Sequence, residues 1–170
     1  MPLYEATIPQ FKKALGNLQQ WLDKATEFAT SKSFDPSVLL TARLAPDQFP
    51  LIRQIQSACD GAKTTSARLT GKQPPVHPDT EQTLDEIRAR ISTVLAYLDT
   101  FSADDFKGAD TRKIPLFFMP GKAALGADYL NEFCLPNFYF HLTTAYAILR
   151  HNGVALGKMD FIGSMTVSDV

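Results

Sequence analysis

Phe11-Lys12-Lys13-Ala14-Leu15-Gly16-Asn17-Leu18-Gln19-Gln20-Trp21-Leu22-Asp23-Lys24-Ala25-Thr26-Glu27-Phe28 carries an apolar stripe at Phe11, Leu15, Leu18, Leu22, Ala25 and Phe28, in steps of four, three, four, three and three. Such steps keep one face apolar because an α-helix turns once in about 3.6 residues. The stretch predicts a helix from near Thr7 to about Ser31, with Pro9 in the first turn, where its missing amide hydrogen is not needed. Two more stripes follow, Ile52, Ile55, Cys59, Ala62, Ser66 and Leu69, then Leu84, Ile87, Ile91, Val94 and Leu98. A fourth helical region runs from about Ala127, is interrupted near Pro136 and resumes to Asn152-Gly153, a left-handed stop. Each stripe must be buried against another element, so the expected fold is all-α, a four-helix bundle in one domain covering residues 1–170.

Between the stripes, Asp35-Pro36 offers a cap and a first-turn proline for a short helix through Leu40, and Asp47 is a cap for the second long helix, which Gly71 closes. Prolines 74, 75 and 78 make the following stretch a surface connection. Asp79 is the expected cap of the third helix, with Glu81 in its first turn and Gln82 answering the cap. Met119-Pro120-Gly121 lies between two short apolar runs and predicts a small β-hairpin before the last helix. Between Ile114 and Gly157 only Lys122, Asp128, Glu132 and Arg150 are charged, which predicts the most buried element and a dimer contact. The tail beyond Gly157 has no period; Phe161 and Ile162 are expected to pin it to the bundle.

Composition excludes several classes of function. The chain has 170 residues, a formal charge of −1 and a pI near 6.3. Without a Lys/Arg-rich run it lacks the clustered positive charge that a nucleic-acid backbone or an anionic membrane requires. Met1-Pro2-Leu3-Tyr4-Glu5 does not open a signal peptide, and no stretch reaches the roughly 18 apolar residues of a membrane span. A cytoplasmic location is expected. Cys59 and Cys134 stand apart from any CxxC or Cys/His spacing, which argues against a disulfide framework and a zinc knuckle and for two small buried apolar side chains.

The one polar concentration on an apolar element is Asn137-Phe138-Tyr139-Phe140-His141, because a four-residue step puts Asn137, His141 and Ala145 on one helix face. An inward imidazole needs a partner for its nitrogens, since an unpaired polar group in an apolar site costs about 1–3 kcal/mol. Two readings follow: a metal ligand or general base, or a cleft histidine bonded to a side chain of a facing helix, the commoner outcome. His151 sits in the last helical turn, roughly 15 Å along the helix from His141, so the two cannot share an ion. His77, among prolines, reads as solvated. Glu81, Asp85 and Glu86 read as solvated charges at a helix start, and Asp60 with Lys63 as surface charge; no carboxylate pair has a reason to converge. P-loop, GxGxxG and GxSxG motifs are absent.

Leu44-Ala45-Pro46-Asp47-Gln48-Phe49-Pro50-Leu51 and the run from Leu135 through His141-Leu142-Thr143-Thr144 to Val154 resemble a bacterial family of unknown function within the DinB/YfiT-like superfamily. The resemblance also takes in Ala67 to Gly71, Gly126 to Leu130 and Leu156 to Lys158. It implies a DinB-like four-helix bundle, often dimeric, in which three histidines hold a divalent metal, one on the second helix and two on the last; some relatives transfer small thiols. Carried over through the shared Gly153-Val154 ending, His141 takes one ligand position, Asn137 stands four residues earlier where an imidazole belongs, and the second-helix position falls on or near Gln56. Amides bind Zn²⁺, Ni²⁺ or Fe²⁺ poorly beside imidazole. The expectation is therefore a homodimer without cofactor or metal, any ion being held through His141, with a pocket of Gln56, Asn137 and His141 for a small molecule. The alternative is a metal-dependent transferase acting on a low-molecular-weight thiol; the sequence assigns no catalytic residue.

Overall fold

A computed structural model describes residues 2–168. The chain forms α1 (Leu3–Ser31), a 3-10 turn (Pro36–Thr41), α2 (Leu51–Thr70), α3 (Leu84–Leu98), a second 3-10 turn (Ala103–Phe106) and the strands β1 (Lys113–Pro115) and β2 (Ala123–Leu125). A continuous helical run follows, α4 (Gly126–Asp128), a π-helical segment (Tyr129–Cys134) and α5 (Leu135–His151), and then a short α6 (Lys158–Ile162). The periodicity of the sequence is realised: Phe11, Leu15, Leu18 and Leu22 of α1, Ile55 and Leu69 of α2, Ile87, Ile91 and Val94 of α3, and Phe138 and Ile148 of α5 are all fully buried in one core. The most extensive packing is α2 on α5, with α3 on the other side of α2. Among the described residues no helix is long and apolar enough to cross a membrane.

The boundaries differ from expectation where side chains are recruited elsewhere. α1 begins at Leu3, so Pro9 lies inside the helix; burial of Ala6 and Ile8 and the packing of Tyr4 on Phe106, 5.7 Å between ring centres, offset the lost backbone bond. Asp47 does not cap α2, which starts after Pro50 with no side-chain cap. Nor does Asp79 cap α3: Thr83 accepts from the Glu86 amide at 3.3 Å, and the Glu86 carboxylate answers the Thr83 amide at 2.9 Å. Asp79 and Glu81 are drawn instead to Arg90. Asp35 does cap the first 3-10 turn, and Gly71, at φ 76°, closes α2 in the left-handed conformation.

The hairpin forms as expected, antiparallel, with Lys113 opposite Leu125 and Pro115 opposite Ala123. The last helix does not break at Pro136: the wider π turns before it keep the run helical, and the proline falls at the start of α5. This region is not the most buried element either. It lacks charge, yet Phe117 is 67% exposed, Phe140 55% and Met119 48%, whereas α1 buries most of its inner face. Beyond Gly157 the tail coils into α6 rather than remaining irregular. Phe161 stacks on Trp21 at 5.5 Å, and the indole Nε1 donates to the Asp160 carbonyl at 2.9 Å.

Candidate functional site: a cleft between α2 and the π-helical segment

His141, on α5, faces α2, and its Nδ1 lies 2.8 Å from Oε1 of Gln54. The Gln54 amide is oriented by its other end: Nε2 donates to the Phe49 carbonyl at 3.1 Å, which leaves only the oxygen to meet the ring. Nδ1 therefore carries the hydrogen and donates, and Nε2 keeps its lone pair. Burial lowers the pKa of His141, favouring the neutral ring. The result is an oriented acceptor nitrogen.

His141 and Asn137 line one cleft of about 250 Å³, open to solvent on one side. Opposite them the π-helical segment supplies Tyr129, Phe133 and Cys134. A π turn holds more than four residues, so positions four and five apart share a face, and this local geometry brings all three into the wall. Phe133 stacks between Phe118 (4.7 Å) and Tyr129 (5.8 Å), and Phe117 reaches the mouth from the hairpin turn. Asp60, from α2, completes the polar end. Burial pushes the Cys134 thiol up and the Tyr129 hydroxyl up to about 12, so both are neutral at rest, and Cys59, pushed up by burial to about 12, is equally inert.

Gln56 lies elsewhere. Fully buried on α2, its Nε2 donates to Glu81 at 2.8 Å and its oxygen accepts from Arg53 at 3.0 Å, in an ion-pair cluster behind the cleft. Arg90, with a side chain only 2% exposed, is the centre of that cluster: it bonds Asp60 at 2.8 Å and Asp79 and Glu81 at 2.9 Å each. Lys63, also buried, bridges Asp60 at 2.8 Å and donates to Nδ1 of His77 at 3.0 Å. The carboxylates thus do converge, Asp60, Glu81 and Lys63 are not free surface charges, and His77 is not merely solvated. Burial and the Lys63 ammonium lower the His77 pKa, keeping that ring an acceptor.

Sequence reasoning missed Gln54, Arg90 and this convergence. One signal was present: Arg90 stands three residues after Ile87 and four before Val94, and Lys63 four after Cys59, so both cations occupy stripe positions, where an unpaired charge is not tolerated. His151 closes α5 in its last turn, as its position implied.

A family model described as a domain of unknown function, DUF1993, matches residues 3–162. Among solved structures, a crystal structure of a DinB family member protein from Shewanella denitrificans is 50% identical, with a TM-score of 0.96 over 99% of this chain and 96% of that one. No curated protein matches. With almost its whole length matched, the chain belongs to DUF1993, a family of unknown function within the DinB-like superfamily.

Proposed function

We propose that this DinB-like protein binds a small molecule in the cleft of Asn137 and His141, and that it does so without the three-imidazole metal centre of its superfamily. The observation that carries the reading is the His141 ring, held by Gln54 in the tautomer that leaves Nε2 its lone pair, lining a cleft with aromatic walls. Gln56 enters only from behind, through Glu81 and Arg90.

The donor set supports the second half. His141 bonds the amide of Gln54 and shares its cleft with that of Asn137, and among the described residues no three His, Cys, Asp or Glu side chains converge as a metal site would require. Asp60 and Cys134 share the cleft, but Asp60 is paired with Arg90 and Lys63 and burial keeps the Cys134 thiol protonated, so one imidazole beside amides is a poor fit for a tightly held divalent ion. Free, buried Cys59 and Cys134 suit a reducing compartment, which supports the cytoplasmic reading, and exposed Phe117, Phe118 and Met119 support a homodimer.

The test is elemental analysis of protein purified without chelator, together with melting in millimolar Zn²⁺ or Ni²⁺. A ligand that binds the folded state must raise the melting temperature. The expectation is no stoichiometric metal and an unchanged melting point, with a co-purified small molecule seen by native mass spectrometry and lost in His141→Ala. Stoichiometric metal that depends on His141 would overturn the non-metal reading, and sedimentation as a monomer would overturn the dimer.

A further inference from the structure

The charge and lone pairs that His141 and Asp60 present bias the cleft toward an occupant that donates. Nδ1 of His141 is committed to Gln54, so Nε2 offers the cleft an acceptor and no donor. Asp60 adds a second acceptor: Arg90 and Lys63 both bond its Oδ1, leaving Oδ2 free. Among the described residues no lysine or arginine lines this cleft. Of the nearby cations, Arg90 and Lys63 are spent on carboxylates, and the Arg68 guanidinium stands behind the wall, over the ring of Phe117 at 5.0 Å from its centre and 3.4 Å from the Tyr129 hydroxyl. An anion here would meet a carboxylate and a lone pair with no cation in the lining itself.

Ser57, Thr64, Thr65 and Asn137 add neutral groups that can both donate and accept, and the facing wall is aromatic. Tyr129 and Phe133 line it as near-parallel rings, 23° apart, Phe118 continues the ladder behind Phe133 at 30°, and Phe117 stands edge-on at the mouth, 67% exposed. A planar ring can extend such a ladder. We infer that the cleft takes a flat aromatic molecule bearing an N–H donor, an amine or an aminated heterocycle, and rejects aromatic carboxylates of the same size. This deepens the small-molecule reading above and rests on it.

The test uses three probes of one shape: benzylamine, benzyl alcohol and benzoate. Each is titrated into protein with ¹⁵N-labelled histidine, and the Nε2 resonance of His141 is followed. Benzylamine is expected to shift that resonance and to bind roughly tenfold more tightly than benzoate, with benzyl alcohol between them. In Asp60→Asn the preference for amine over benzoate is expected to shrink, the melting curve of the variant establishing that it is folded. Should Asp60→Asn not fold, His141→Ala, expected by ligand-observed NMR to bind amine and alcohol several-fold more weakly than the unaltered protein while keeping the part of the amine preference that Asp60 supplies, carries the same comparison. Benzoate binding as tightly as benzylamine would overturn the donor preference while leaving the cleft a binding site. No perturbation of His141 by any of the three would overturn the cleft reading itself.

Discussion

Arg90 shows how much one residue can organise. Its guanidinium is taken from water and surrounded by Asp60, Asp79 and Glu81; burial works against its charge, but the carboxylates outweigh burial and raise its pKa. The carboxylates respond in kind. Burial pushes Asp79 and Glu81 up, but hydrogen bonds from Arg53 and Arg90 to Asp79, and from its own amide, Arg90 and Gln56 to Glu81, hold both below the ordinary range. A carboxyl with a depressed folded-state pKa binds fewer protons folded than unfolded. Its stabilisation is complete above the unfolded pKa values of about 3.9 and 4.3 and is lost as pH falls through the lower folded ones. Arg90→Ala is expected to cost roughly 3 kcal/mol in urea unfolding at neutral pH, the lower end for a broken buried pair, since Asp60 and Asp79 keep some contact with water. It should also flatten the loss of stability between pH 5 and pH 3 (both values about). An unchanged acid limb in Arg90→Ala would mean that the cluster contributes nothing net. Its members come from residues 60, 79, 81 and 90, and no local pattern pairs them; that is why sequence reading made Asp79 a helix cap and Asp60 and Glu81 solvated charges, and passed over Arg90.

The elements were more legible than the site because helix periodicity is local, whereas the cleft depends on where helices stop. Stripes such as Leu84, Ile87, Ile91, Val94 and Leu98 need only their own spacing, and all of them are buried. The π-helical segment leaves no comparable trace: its apolar residues Tyr129, Leu130, Phe133 and Cys134 fit an ordinary helix, and Pro136 reads as a break. His141 and Asn137 were reachable through a four-residue step on one helix, but choosing Gln54 over Gln56 as the partner on α2 requires the register of two helices. Gly126, joining β2 to α4, makes the element scale testable. A Cβ there would lie 1.8 Å from the Ala109 carbonyl oxygen and 3.2 Å from Leu69. Backbone cannot swing aside, so Gly126→Ala should cost about 3 kcal/mol or more and disturb the wall that Tyr129 carries. Gly16, in the middle of α1 with nothing within 4 Å of such a Cβ, predicts the opposite sign. Gly16→Ala should stabilise by about 0.5–1 kcal/mol, read from the same denaturation curves.

At the scale of the whole molecule, the bundle is closed by its own end. Trp21 is fully buried on α1, and what covers it comes from the other terminus: Phe161 stacks on the indole, Tyr146 of α5 meets it edge-on at 5.5 Å, and the Asp160 carbonyl takes its N–H. Lys24 pairs with the Asp160 carboxylate at 2.7 Å, and Asn17 donates to the Phe161 carbonyl at 3.0 Å. The ion pair is half exposed and adds little; the ring and the two carbonyl bonds dominate, because losing them leaves an indole N–H in an opened apolar pocket. Phe161→Ala is therefore expected to cost on the order of 2 kcal/mol and to red-shift the emission of Trp21, the only tryptophan, as water reaches it. Removing the chain from Lys158 onward should do both more strongly while leaving the His141 cleft intact, since α6 contributes no residue to its lining. The amine titration of the truncated protein checks that separation. Loss of binding together with the fluorescence shift would tie the terminal clip to the cleft through α5, whose Tyr146 touches the clip and whose His141 and Asn137 face the ligand space.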